Sequence, residues 1–242
     1  MPKTGTRKLF QHIQNELIQN NIKMGRDALF DLLRAYGLLV KKTKRFHITT
    51  DSKHFFYKSP NRLKELILNH AEQVFVSDIT YVKIDGGHSY LALVTDAYSK
   101  KIMGWKLDNN MKVSLVKQAL EMAHKNCIHI HKNIIHHSDR GIQYCCPDFS
   151  DFAQKKGFVL STTQQYDPYE NAVAERINGI LKYEFGLINT IKNFEIAQKM
   201  VEQAVKIYNN ERLHWSLNLK TPQKVHQQYD KQPYKSYAKN IV

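Results

Sequence analysis

Val76-Ser77-Asp78-Ile79-Thr80-Tyr81 is a β-branched and aromatic run that reads as a strand, and the rest of the chain is organised around it. The strand covers about 73–84, and Asp85-Gly86-Gly87 then signals a hairpin turn into a second strand at 88–96. A third run spans 101–107. Residues 111–125 read as a helix, with Val113, Val116, Leu120 and Ala123 along one side. Ile134-Ile135 is a short buried strand that ends at Asp139. Pro147 opens a helix to about 156, and Phe158-Val159-Leu160 is a fifth strand. Helical patterns follow from beyond Asp167-Pro168 to about Phe185, and again over 194–209.

The order β-β-β-α-β-α-β-α places antiparallel hairpins first and crossovers later. It predicts an α/β fold with a ribonuclease-H-like mixed five-stranded sheet, helices on its flanks and a small helical N-terminal module. The expected organisation is a basic, helix-turn-helix-like module over 1–58 and a linker over 59–72. A catalytic core with its C-terminal helices then covers 73–228, and a basic tail covers 229–242.

Three carboxylates stand out in this frame. Asp78 lies within the first strand, Asp139 directly follows the fourth, and Glu175 opens a helix; 35 residues separate the second and third. Carboxylates at strand ends and on a helix can converge on divalent ions. A pair of such ions stabilises both oxygens of an in-line phosphoryl displacement. Hard oxygen ligands suit Mg²⁺, with Mn²⁺ as a substitute. Asp96 also follows an apolar strand, and its expected role is to support a turn. The histidines at 124, 129, 131, 136 and 137 and the three cysteines form no paired H-x₃₋₅-H and C-x₂-C arrangement, which argues against structural zinc.

Composition points to a polyanionic partner. The 242 residues carry a formal charge of +14, and residues 1–60 hold twelve Lys and Arg against Glu16, Asp27, Asp31 and Asp51. Within this region Leu9, Ile13, Leu17 and Ile18 recur at helical spacing, as do Leu29, Leu32, Leu33 and Tyr36, with Gly37 closing the second helix. Lys41, Lys42, Lys44 and Arg45 follow. The pair reads equally as a DNA-binding helix-turn-helix or as a generic helical hairpin packed on the core. An odd count of three cysteines fits a reducing cytosol, and the sequence shows neither a signal peptide nor an apolar run of membrane-spanning length. The expected setting is cytoplasmic and nucleoid-associated, with no membrane partner.

Three motifs carry a family resemblance. They are Val76–Tyr81, His137-Ser138-Asp139-Arg140-Gly141-Ile142-Gln143-Tyr144, and Asp167-Pro168-Tyr169-Glu170-Asn171-Ala172-Val173-Ala174-Glu175-Arg176. Together with Thr95–Ile102, Tyr208–His214 and Thr221-Pro222, they resemble bacterial insertion-sequence transposases with a retroviral-integrase-like core. The resemblance runs from about residue 5 to 228. It implies that Asp78, Asp139 and Glu175 are the metal-binding catalytic triad of a DNA transposase. It also implies strand cleavage and strand transfer at element ends, through a circular intermediate.

In that family a basic residue seven positions after the glutamate contacts terminal DNA, which assigns the role to Lys182. Helical spacing also puts Lys182 on the face of Glu175. Asn171 and Asn178 share this face and are candidates to bind DNA or orient the carboxylate, against ordinary surface polarity. Arg140 and Arg176 are candidate phosphate contacts, or partners of an acid. The sequence departs from the family at Val76, where Trp is common, at Ser161–Tyr166 and at Glu170. End recognition in the group commonly uses an upstream helix-turn-helix and coiled coil joined by frameshifting. The implied partners are therefore DNA, further copies of the chain on DNA, and the upstream-frame or fused-frame product. A catalytically silent DNA-binding regulator is the alternative reading. An RNA–DNA hybrid nuclease would share the metals but leaves Lys182 and the tail motif unexplained.

Overall fold

The computed structural model describes residues 3–40, 55–128, 133–164 and 171–228. Two helices, α1 (Thr6–Gln19) and α2 (Arg26–Ala35), come first. The core follows as β1 (Val74–Ile84), β2 (Gly87–Asp96), β3 (Ile102–Asp108), α3 (Val113–Lys125) and β4 (Ile134–Ser138). It continues through α4 (Ile142–Cys145), α5 (Pro147–Lys155), β5 (Phe158–Thr162), α6 (Ala172–Glu184), α7 (Phe194–Asn210) and α8 (Pro222–Gln227). The basic cluster Lys41, Lys42, Lys44 and Arg45 and the tail 229–242 lie outside the described residues.

The five strands form one sheet in the order β3-β2-β1-β4-β5. β1 is central: it pairs antiparallel with β2 and parallel with β4, and β5 continues parallel beyond β4. The β1–β2 turn needs only Asp85 and Gly86, because Ile84 already faces Gly87 across the ladder. Gly86 has φ +79°, the left-handed backbone such a two-residue turn requires.

Alternation along the strands sends side chains to two cores. Phe75, Ala92, Val94 and Met103 meet Leu115, Ala119 and Leu120 of α3 and Phe149 and Ala153 of α5. Val82, Leu91, Leu93 and Leu107 meet Ile177, Ile180 and Leu181 of α6 and Val201 and Tyr208 of α7. Gly104 lets α3 approach closely: a Cβ there would lie 2.1 Å from the Ala119 carbonyl oxygen. Covering both faces of β1 is what makes its first four residues continuously buried.

The stretch read as a polar linker is seated on the core. Leu63, Leu66 and Leu68 pack against Val74, Val76, Ala97 and Ala174. The Thr162 hydroxyl donates to the Ser59 carbonyl at 2.6 Å, and the Arg62 amide donates to Ser161 Oγ at 2.9 Å. Leu63 and the short run Leu66-Ile67-Leu68 are too brief to show a periodicity, so only the apolar surface they meet reveals their use.

Asp96 supports a turn, as expected. Its Oδ1 accepts from the Ser99 amide at 2.6 Å and hydroxyl at 2.7 Å, and its Oδ2 accepts from the Glu72 amide at 2.5 Å. His226 of α8 completes a buried ring, with its imidazole 3.0 Å from Ser99 Oγ and 3.1 Å from Glu72 Oε1. This ring ties the C-terminal helix to the entry of β1. The N-terminal helices bury far less. Leu29 is in their interior, whereas Ile18, Ile22, Leu32 and Tyr36 are exposed, and Arg7 of α1 lies 5.9 Å from the centroid of Trp215. No described helix is long and apolar enough to cross a membrane.

Candidate active site

The parallel pairing of β1 with β4 builds the site. Its last partners are Ser77 and Ser138, so the next residues on the two strands are Asp78 and Asp139. Two carboxylates are thereby placed side by side where the ladder ends. Asp78 Oδ1 accepts from the Ile79 amide at 2.9 Å, and its Oδ2 accepts from the Asn178 side-chain amide at 2.7 Å. Asp139 Oδ1 accepts from the Gly141 amide at 3.0 Å.

Burial pushes the Asp78 carboxyl up to about 7, and the neighbouring Asp139 charge adds to the rise. The donors from Asn178 and Ile79 oppose it, and Glu175 contributes a smaller like-charge push. A buried acid whose proton affinity a neighbouring carboxylate raises is a site for a cation, since a divalent ion would offset both charges. Buried polar atoms without a hydrogen-bond partner support this fit: Asn178 Oδ1, Asn171 Oδ1 and the Tyr144 hydroxyl.

Helix α6 forms the opposite wall. Asn171 precedes its first turn and donates to the Ser77 carbonyl at 3.1 Å, while Asn178 reaches Asp78 one strand residue further on. Both asparagines are buried, so they clamp α6 onto β1. Glu175 lies between them in sequence but is exposed. Among the described residues no three His, Cys, Asp or Glu side chains are close enough to share a metal ion. The structure brings Asp78 and Asp139 together, and the charge of Glu175, exposed on α6, acts on Asp78.

Lys182 is half-buried on the same helix. Burial holds its ammonium below the usual lysine value, partly offset by the charge of Asp78. Arg140 donates from Nε to the Thr163 carbonyl at 2.6 Å, which braces the end of β5 beside Asp139. Arg176 is exposed, and its charge acts on Lys8, Glu184, Tyr208 and His214. It serves that cluster at the C-terminal side of the core.

Two residues near the carboxylates carried no individual signal in the sequence. Tyr144 is buried, and its phenol is pushed far up by that burial and then by the charges of Asp78 and Asp139. Lys58 acts on Cys145 together with Asp139 and Arg140. Cys145 itself is not an activated thiol, because burial and then Asp139 push it up to about 11. His136 is fully buried, 2.8 Å from Ser77 Oγ, and burial holds it down at about 3, so it is a neutral core group.

Comparison with known proteins agrees with this fold. The integrase core domain family matches residues 69–168, and a second integrase core domain family matches 156–222. The insertion element IS600 uncharacterized 31 kDa protein of Shigella sonnei is 34% identical over 227 residues, covering 93% of this chain and 82% of that protein. The transposase for insertion sequence element IS629 of the same species is 29% identical over 210 residues, covering 86% of this chain and 69% of that protein. The catalytic core domain of HTLV-2 integrase, solved in complex with magnesium, superposes with a TM-score of 0.52 at 17% identity. That match covers 65% of this chain and 97% of the viral domain and shows a shared fold. With two adjoining integrase-core matches, and a relative at 34% identity along most of its length, the chain belongs to the insertion-element transposases built on an integrase core domain.

Proposed function

We propose that the chain cuts DNA strands at the ends of an insertion element and joins them to new DNA, with Asp78, Asp139 and Glu175 holding divalent cations. The observation that carries the reading is the placement of Asp78 and Asp139 side by side where β1 and β4 part. Mg²⁺ suits this all-oxygen donor set, with Mn²⁺ able to replace it, and the HTLV-2 core solved with magnesium has the same fold. When bound, such ions polarise the phosphate and stabilise the attacking and leaving oxygens.

The chain's own residues orient and bind. Asn178 holds Asp78 in one rotamer, and Asn171 fixes the height of α6 against β1. Glu175, in the first turn of α6, acts on the pair through its charge and would supply the third carboxylate to the cations. Lys182, two turns on, takes a phosphate of the terminal DNA. Arg140 keeps the end of β5 in place beside Asp139. Phosphoryl transfer of this kind rests on positioning and charge neutralisation and needs no covalent enzyme intermediate. Joining two ends calls for more than one copy on DNA, and an upstream-frame or fused-frame product is a candidate partner.

A second reading stands beside the transposase. In it the chain occupies DNA as a silent regulator or partner subunit. Strand transfer in vitro separates the two, using labelled DNA with the flanking ends and Mg²⁺, Mn²⁺ or EDTA. Metal-dependent joining that disappears in Glu175→Gln supports the transposase. Joining that persists in the variant overturns the triad, and DNA binding without joining in the wild type favours the silent partner.

A further inference from the structure

Phe55-Phe56-Tyr57-Lys58 places three rings and a cation directly ahead of the segment seated on β5. The seat is well defined. Thr162 Oγ1 donates to the Ser59 carbonyl at 2.6 Å, the Arg62 amide donates to Ser161 Oγ at 2.9 Å, and Arg62 Nε donates to the Leu160 carbonyl at 3.3 Å. Ser161 Oγ is in turn 2.8 Å from the His137 ring. Thr162 pairs with Ser138, the residue before Asp139. Lys58 is therefore one residue away from an anchor at the sheet end that carries the catalytic carboxylates.

Two of these rings, Phe55 and Tyr57, stand outside the core. Phe55 is 108% exposed and Tyr57 is 79% exposed, whereas the core buries aromatic residues such as Phe75, Phe149 and Phe158 completely or nearly so. Exposed rings beside a cation match the surface that binds single-stranded nucleic acid, where bases stack on aromatic side chains and the backbone follows positive charge. A duplex offers no free base faces along its length, so such rings act only on nucleotides that have left the stack. An unpaired end held beside Asp139 supplies them.

We propose that Phe55, Tyr57 and Lys58 form a platform for unpaired nucleotides at the DNA end, with bases on the rings and phosphate on Lys58. The inference rests on the strand-cutting reading of Asp78 and Asp139. It adds a substrate feature to that reading: a frayed or single-stranded terminus rather than a closed duplex.

Fluorescence anisotropy with the full chain in EDTA tests it, using a labelled random-sequence duplex that is either blunt or carries three unpaired thymidines. The wild type binds the tailed duplex roughly fivefold or more tightly, the gain expected from a single stacked base. The double variant Phe55→Ala, Tyr57→Ala loses that preference and keeps its affinity for the blunt duplex. Lys58→Ala weakens both and lowers the salt slope by about 0.9, the loss of one phosphate contact. A melting temperature within about a degree of wild type is expected for each, since none of the three side chains is in the core.

Equal binding of the tailed duplex by the double variant and the wild type overturns the platform. So does a wild type without preference for the tail. A change in sedimentation of the double variant with DNA affinity intact also overturns it and assigns the rings to contact between copies. In each of these cases blunt-duplex binding and metal-dependent joining survive, which separates failure of the platform from failure of the transposase reading.

Discussion

Asn178 donates its side-chain amide to Asp78 Oδ2 at 2.7 Å, across 100 residues of sequence, and so couples the helix that carries Glu175 to the central strand. This bond favours the charged form of a carboxyl that burial and Asp139 push toward protonation. Asn178→Ala removes it. Metal-dependent joining by the variant is expected to drop roughly tenfold at pH 7, in line with loss of a hydrogen bond to a charged group. The acid limb of its pH–rate profile moves to higher pH. An unchanged limb shows that Asn178 does not tune Asp78.

Asp78 also makes a pH-dependent contribution to stability. Its folded carboxyl is raised from the ordinary aspartate range to about 7, so the folded state binds the proton more tightly than the unfolded state does. The sign follows: the stabilisation is fully present below the unfolded value and is lost as pH rises toward 7. In EDTA the wild type is expected to melt at a higher temperature near pH 5 than near pH 8. Asp78→Asn removes the titrating charge and stabilises the metal-free protein at pH 8 by about 2 kcal/mol, less than the full shift implies because the side chain keeps a small contact with water. Thermal melts at the two pH values check this, and a variant less stable than wild type at pH 8 contradicts it.

Tyr144 buries a hydroxyl that has no hydrogen-bond partner among the described residues. Its ring packs edge-on against Phe149 at 5.5 Å and tilted against His136 at 5.8 Å, contacts that phenylalanine would keep. Removing an unsatisfied buried hydroxyl recovers about 1 kcal/mol of desolvation cost. Tyr144→Phe is therefore expected to melt no lower than wild type. A loss of stability would show that the hydroxyl is bonded in solution.

Glu184, at the end of α6, accepts from Arg212 Nε at 2.7 Å and from its second terminal nitrogen at 2.6 Å. Arg212 is only 2% exposed, so its guanidinium depends on this fork and on His214 at 2.9 Å. Burial pushes the Glu184 carboxyl up, and the hydrogen bond and charge of Arg212 overrule it and hold it below the usual range. Its stabilisation is thus present above the unfolded carboxyl value and lost in acid. Glu184→Ala strands a buried cation and is expected to cost about 3 kcal/mol in denaturant unfolding. Glu184→Gln costs less.

Much of the sheet was legible because its signals are local. Along β1, Phe75 and Ile79 face one core and Val82 and Ile84 the other, Asp85-Gly86 closes a turn with Gly86 at φ +79°, and Gly37 ends α2 at φ +65°. The carboxylates were legible as residues for a related reason: Asp78, Asp139 and Glu175 each sit at a recognisable element boundary or motif. Asn171 and Asn178 were not resolved from surface polarity, because helical spacing places a side chain on a face without saying what that face meets. The seating of residues 59–72 was hidden for the same reason. Leu63, Leu66 and Leu68 meet Val74 and Val76 nearby but also Ala97 and Ala174 from distant segments.

By itself, then, the chain's sequence determined the strands, the helices and the inventory of acids, since backbone propensity and side-chain periodicity act over a few residues. The distance between those acids belongs to the tertiary structure. β1 and β4 pair across about 60 residues, and the end of that ladder sets Asp78 beside Asp139 while leaving Glu175 exposed on α6. The same packing drives Asp78 toward neutrality and seats Lys58 near the site, because burial and the field of nearby charges depend on which surfaces meet.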